Sequence, residues 1–115
     1  MKGDYFVAKT LADVITHELT HKKHWDSAKT LYKAKPKLYN NVDEAKNSLD
    51  SELEKYLKNV TMNDLNYLMK QLSINASVSY TNGSSVNEIV AETITKKNIE
   101  DKELLRLVKE VLNYE

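Results

Sequence analysis

Val14-Ile15-Thr16-His17-Glu18-Leu19-Thr20-His21 is the stretch that decides how this 115-residue chain is read. His17 and His21 are four residues apart, which on a helix stacks one imidazole above the other. Their Cα atoms then lie about 6 Å apart along the axis, at about 1.5 Å rise per residue. Both rings can therefore reach a single Zn²⁺ ion. Glu18 stands beside the first histidine, where its carboxylate can take a proton from a water at that metal. Zinc in such a site takes a third protein ligand and keeps a fourth position open. The best supplier is Asn87-Glu88-Ile89-Val90-Ala91-Glu92, late in the chain.

The two segments, Val14 to His21 and Val86 to Glu92, resemble the gluzincins, the thermolysin-like zinc peptidases. That family's pattern is H-E-x-x-H followed by N-E-x-x-S-D on a second helix. The resemblance covers only these two motifs, in the family's order. It implies that His17, His21 and Glu88 hold Zn²⁺ and that Glu18 is the general base. It implies Glu92 as a carboxylate behind a ligand histidine, where the family has aspartate. The implied activity is hydrolysis of peptide bonds in a peptide or protein substrate. The family also places a tyrosine and a later histidine near the developing oxyanion. No histidine follows His24 here, which leaves Tyr80, upstream of Glu88, as the best donor. A sheet precedes the motif helix in gluzincins, whereas only Met1 to Thr16 precede the motif in this sequence. The general texture is also similar to the small zinc-peptidase-like domains at the ends of phage minor-capsid polypeptides. That second resemblance implies an alternative function. The chain would be a catalytically weak or inactive zinc-binding module, partnered by other segments of a parent polypeptide.

Read from the residues alone, several of these positions keep a second meaning. Ser85-Val86-Asn87-Glu88 is itself a capping box, in which Glu88 would reach back to a backbone N–H. Glu92, one turn later, can ligate instead of Glu88. It can also accept the N–H of a ligand histidine, or pair with Lys96 across one turn. Tyr80 can equally be a packed or exposed loop residue. His24 lies about 10 Å along the axis from His17, too far to share its metal. It reads as a solvent-facing or hydrogen-bonded histidine, with a substrate-side role as the alternative. Trp25 reads as core or site wall.

Composition bounds the rest. A chain of this length fits one domain, residues 1–115, alone or as part of a longer polypeptide. Hydrophobic residues make up 41%, with no run near the ~18 residues of a membrane helix. Seventeen basic residues balance seventeen acidic ones, which argues against a general nucleic-acid binder. Cysteine is absent, so disulfides, thiolate catalysis and thiolate zinc sites are all excluded. No basic-then-apolar leader follows Met1, which points to a cytoplasmic protein, or a virion-associated one if phage-derived.

Only two glycines and one proline occur, which favours helices. The expected architecture is mainly α, about six helices with a zincin-type active-site helix and at most a short strand or hairpin. Gly3 to Val7 reads as an extended stub. A helix follows from about Lys9, with Leu11, Ile15 and Leu19 as its apolar stripe. A second runs from about Ser27 to Ala34 and stops before Pro36. Lys33, Lys35 and Lys37 read as a solvated face and loop. Asn41, with Glu44 in the box position, opens a long helix carrying Val42, Ala45, Leu49, Leu53, Tyr56, Leu57 and Val60. Thr61 and Asp64 repeat that capping signature ahead of Leu65, Leu68, Met69 and Leu72. Ser73 to Ser85 is polar and turn-rich. It reads as the mobile wall of the cleft, with Ile74 to Tyr80 as a short strand and Asn82-Gly83 as a turn. The Glu88 helix buries Ile89, Val90 and Ile94. A last helix starts near Asn98 and carries Leu104, Leu105, Val108, Val111 and Leu112.

Overall fold

The computed structural model describes residues 9–83, 86–96 and 98–113. Its elements are α1 (Leu11–Ala34), α2 (Val42–Asn63), α3 (Tyr67–Gln71), α4 (Ile74–Gly83), α5 (Asn87–Thr95) and α6 (Lys102–Leu112). The architecture is mainly helical, as expected, and no strand occurs among the described residues. The Gly3 to Val7 stub lies outside the described residues.

Helix α1 begins at a box the sequence carries in plain view. Thr10 accepts the N–H of Asp13, and Asp13 Oδ2 accepts the N–H of Lys9, each at 3.1 Å. The helix then runs unbroken to Ala34, so the separate segment expected from Ser27 is its second half. It buries Thr20, His24, Ser27, Ala28 and Leu31, a stripe at helical spacing. The Leu11, Ile15, Leu19 stripe faces outward, at 76%, 51% and 60% exposure. Hydrophobic periodicity picked the wrong face here, because the buried face is the polar one that carries the histidines.

Helix α2 opens as expected. Asn41 Oδ1 accepts the N–H of Glu44 at 2.9 Å, and Glu44 reaches back to the N–H of Asn40. It does not stop at Thr61. The Thr61 hydroxyl bonds the carbonyl of Leu57 inside the helix, and Asp64 is the C-cap. Leu65 is 86% exposed rather than packed. The Asp64 carboxylate instead accepts the N–H of Asn66 in the turn that follows.

The stretch expected to be a mobile strand is helix α4. Ser73 Oγ accepts the N–H of Ala76 at its N-terminus, and Asn82-Gly83 closes it. Ala76 is fully buried and Tyr80, one turn on, packs against the core, while Val78 is exposed. Tertiary contact thus overrides the β preference of Val78 and Tyr80. Helix α6 starts at Lys102, not Asn98, because Asp101 caps it by accepting the N–H groups of Glu103 and Leu104.

One hydrophobic core unites α2 through α6. Leu53 and Leu57 of α2 meet Leu68 and Leu72, Ala76, Ile89 and Val90, and the α6 residues Leu104, Leu107, Val108, Val111 and Leu112. Helix α5 is short and buried on nearly every side, as expected of a central helix. It packs against α1, α4 and α6, while α1 also packs against α2. The α1–α5 contact is what brings the two motifs together. Among the described residues no helix is long and apolar enough to cross a membrane.

Candidate metal centre

His17 and His21 project from one face of α1 toward Glu88 on the first turn of α5. The two Nε2 atoms are 3.1 Å apart, with the rings edge to face at 72°. Glu88 Oε2 lies 2.9 Å from His17 Nε2, and Glu88 Oε1 lies 3.3 Å from His21 Nε2. Both carboxylate oxygens thus meet an imidazole nitrogen. The three side chains form the candidate metal-ligand group among the described residues.

One ligand atom from each of the three lies within 4.8 Å of the others, which suits a shared ion. Ligand atoms held about 2.0–2.1 Å from one tetrahedral centre are about 3.3 Å from each other. A second observation points the same way. Glu88 Oε2 is buried and has no hydrogen-bond partner, although His17 Nε2 is within reach. The distance suits an ion pair, but the approach lacks the direction of a hydrogen bond. A buried anionic oxygen with no donor is costly unless a cation meets it. Two imidazoles and a carboxylate, with cysteine absent, are a zinc-type donor set.

The capping-box reading of Glu88 rests on a residue outside the described ones. Its proposed cap, Ser85, lies outside the described residues, and the N-cap of α5 is Val86, with no side-chain capping bond. Glu88 therefore occupies the second helical position, where a negative charge suits the helix dipole.

Glu18 is exposed on α1, between His17 and His21 in sequence. Glu92 is fully buried one turn below Glu88. Its two oxygens accept from the Ser73 hydroxyl and, at 2.7 Å, from Asn75 Nδ2. They do not take the N–H of a ligand histidine. Nor does Glu92 pair with Lys96, whose ammonium donates to the Gln71 carbonyl. Burial pushes the Glu92 carboxyl above its usual range. The Asn75 and Ser73 donors oppose that, the charge of Glu88 adds to it, and His17 opposes it. Glu92 thus feels the metal group electrostatically, while its bonds lock α5 to the start of α4.

Tyr80 sits elsewhere. Its hydroxyl faces Thr61 and the charge of Glu54 on α2, and burial raises its pKa. Neither neighbour belongs to the metal group. His24 proves to be a buried, hydrogen-bonded histidine, with Nε2 at 2.7 Å from Asp50 Oδ1. Trp25 is half-exposed, and its ring lies 5.7 Å from Lys46 Nζ.

Sequence reasoning missed Lys46, Asp50, Ser73 and Asn75. The signal available for the first two was faint: a lysine and an aspartate four apart, on the face where α2 should have been apolar. Compared with family models, with curated proteins and with solved structures, the chain matches none, so its chemistry has to be read from these side chains.

Proposed function

We propose that this protein is a zinc-dependent peptidase, with His17, His21 and Glu88 holding the metal. The supporting observation is the meeting of three ligand atoms, from helices far apart in sequence, around a buried carboxylate oxygen that no donor satisfies. Zinc held there supplies Lewis acidity, polarising a carbonyl and lowering the pKa of water to about 7. The chain supplies the rest. Glu18 accepts a proton from the attacking water and returns it to the leaving amine, so that hydroxide ends on the carbonyl carbon and hydrogen on nitrogen. The substrate is a peptide or protein, and the protein works in the cytoplasm, or in a virion if its parent is a phage polypeptide.

A second reading has its own observation. The described residues include no strand to line up a substrate, and the outward stripe of Leu11, Ile15 and Leu19 offers an apolar face beside the centre. Both suit a zinc-binding structural or interaction module. Two measurements divide the readings. Purification with zinc followed by elemental analysis should give close to one zinc per chain. Glu18→Gln should then keep zinc and fold but lose peptidase activity, by roughly 10²–10⁴-fold, since the amide cannot accept the proton. Equal activity in Glu18→Gln and wild type removes Glu18 as base. Zinc without activity in either leaves the structural module. No zinc in either removes both readings.

A further inference from the structure

A buried polar chain connects the two ligand-bearing helices by a route that avoids the metal. His24 Nε2 donates to Asp50 Oδ1 at 2.7 Å. Asp50 Oδ2 accepts from Lys46 Nζ at 2.9 Å. Lys46 Nζ donates onward to Asn87 Oδ1, and the Trp25 ring lies 5.7 Å from it. His24 and Asp50 are each 1% exposed, and Lys46 is buried too.

We propose that Lys46, oriented by Asp50 and His24, is a positioning residue that sets Glu88 at the metal by gripping Asn87. The proposal rests on the zinc reading above. Two features carry it. The Lys46–Asn87 bond ties the first turn of α5 to α2. Asn87 is also the residue directly before Glu88, so moving one moves the other. At the far end, His24 is one turn from His21 on the buried face of α1. The route from His21 through His24, Asp50, Lys46 and Asn87 to Glu88 therefore closes a loop through α1, α2 and α5.

A buried ion pair is a poor source of stability, because removing both charges from water offsets much of their attraction. What it supplies is direction. Asp50 fixes where the ammonium sits, and the ammonium has two further directions occupied, by an amide oxygen and a ring face. Groups that orient metal ligands from behind typically change metal affinity by about 10–100-fold when removed.

The test is zinc affinity by competition with a chromogenic chelator, alongside thermal melting of the metal-free proteins. Lys46→Met keeps the buried stem and removes the ammonium. Asn87→Ala removes the acceptor, whereas Asn87→Asp keeps an oxygen for Lys46. The expected result is an affinity about 10–100-fold weaker in Lys46→Met and Asn87→Ala, near wild type in Asn87→Asp, and no weaker in the Lys46→Met/Asn87→Ala double variant than in the singles. A purely structural network predicts lower metal-free melting temperatures with unchanged zinc affinity, and that result overturns the proposal while leaving the metal centre in place. If Lys46→Met does not fold, the Asn87 pair decides alone. A wild type that binds no zinc overturns the proposal together with the reading beneath it.

Discussion

Asp101 shows how much one residue can organise. Its Oδ1 caps α6, and its Oδ2 accepts the phenols of Tyr56, at 2.5 Å, and of Tyr67. Burial works against its charge, but the two phenols and two backbone N–H groups hold its carboxyl below the usual range. Burial and the Asp101 carboxylate push the Tyr56 phenol up to about 12. The signs differ at the two ends of the pH scale. With Asp101 depressed, the folded state binds fewer protons than the unfolded one. Its contribution is present above the unfolded aspartate value of about 3.9 and is lost as pH falls through the lower folded value. With Tyr56 raised, the folded state keeps its proton longer. That contribution is present below about pH 10 and is lost as pH rises toward the folded value. Asp101→Asn keeps a capping oxygen but not the charge, so its melting temperature should change less with pH in both ranges than that of wild type. Asp101→Ala should also lose the cap, about 0.5–2 kcal/mol by urea denaturation at neutral pH. Identical pH profiles for wild type and Asp101→Asn would remove the carboxylate from this account.

At the scale of elements, α1 and α4 are the instructive pair. Helix α1 buries a stripe of Thr20, His24, Ser27, Ala28 and Leu31 and leaves Leu11, Val14, Ile15 and Leu19 to solvent. A polar change on the outward face should therefore cost little. Ile15→Lys should stay within about 0.5 kcal/mol of wild type by urea denaturation. Ala28→Leu, on the closed face, should cost about 1–3 kcal/mol by overpacking. A reversed order would return the apolar stripe to the core. Helix α4 depends on Ser73, which caps it and also donates to the buried Glu92. Ser73→Ala should lose both, with a cost of about 1–3 kcal/mol, because buried Glu92 then keeps only its Asn75 donor. A cost under about 0.5 kcal/mol would mean that Glu92 does not anchor α4 to α5.

For the whole molecule, the proposed metal centre implies thermodynamic coupling. The candidate ligands come from α1 and α5, which lie together only in the folded chain, so zinc held there would favour the folded state. Free zinc at about 100 times its Kd should add about 2.7 kcal/mol, a Tm rise on the order of 10 °C for a domain of this size. Glu88→Gln should reduce that rise sharply. The double change of His17 and His21 to Ala should abolish it. Calorimetry with and without a chelator measures all three. A Tm indifferent to zinc in the wild type would deny the centre.

The sequence by itself determined the helical class, the α2 cap at Asn41, the amphipathic face of α6 and the pairing of His17 with His21 on one helix face, and it left Glu88 and Glu92 as competing partners. These are local properties: scarce glycine and proline, a box motif, a 3.6-residue period, and a spacing that puts two imidazoles on one face. Tertiary structure alone decided which face of α1 is buried, that Ile74 to Gly83 coils as a helix, and which groups surround Glu88 and Glu92. Those outcomes depend on partners distant in the chain. Helix α5 takes the polar face of α1 because the histidines meet Glu88 there. Helix α4 forms because Ser73 and Asn75 satisfy a carboxylate on α5 that burial would otherwise leave without donors.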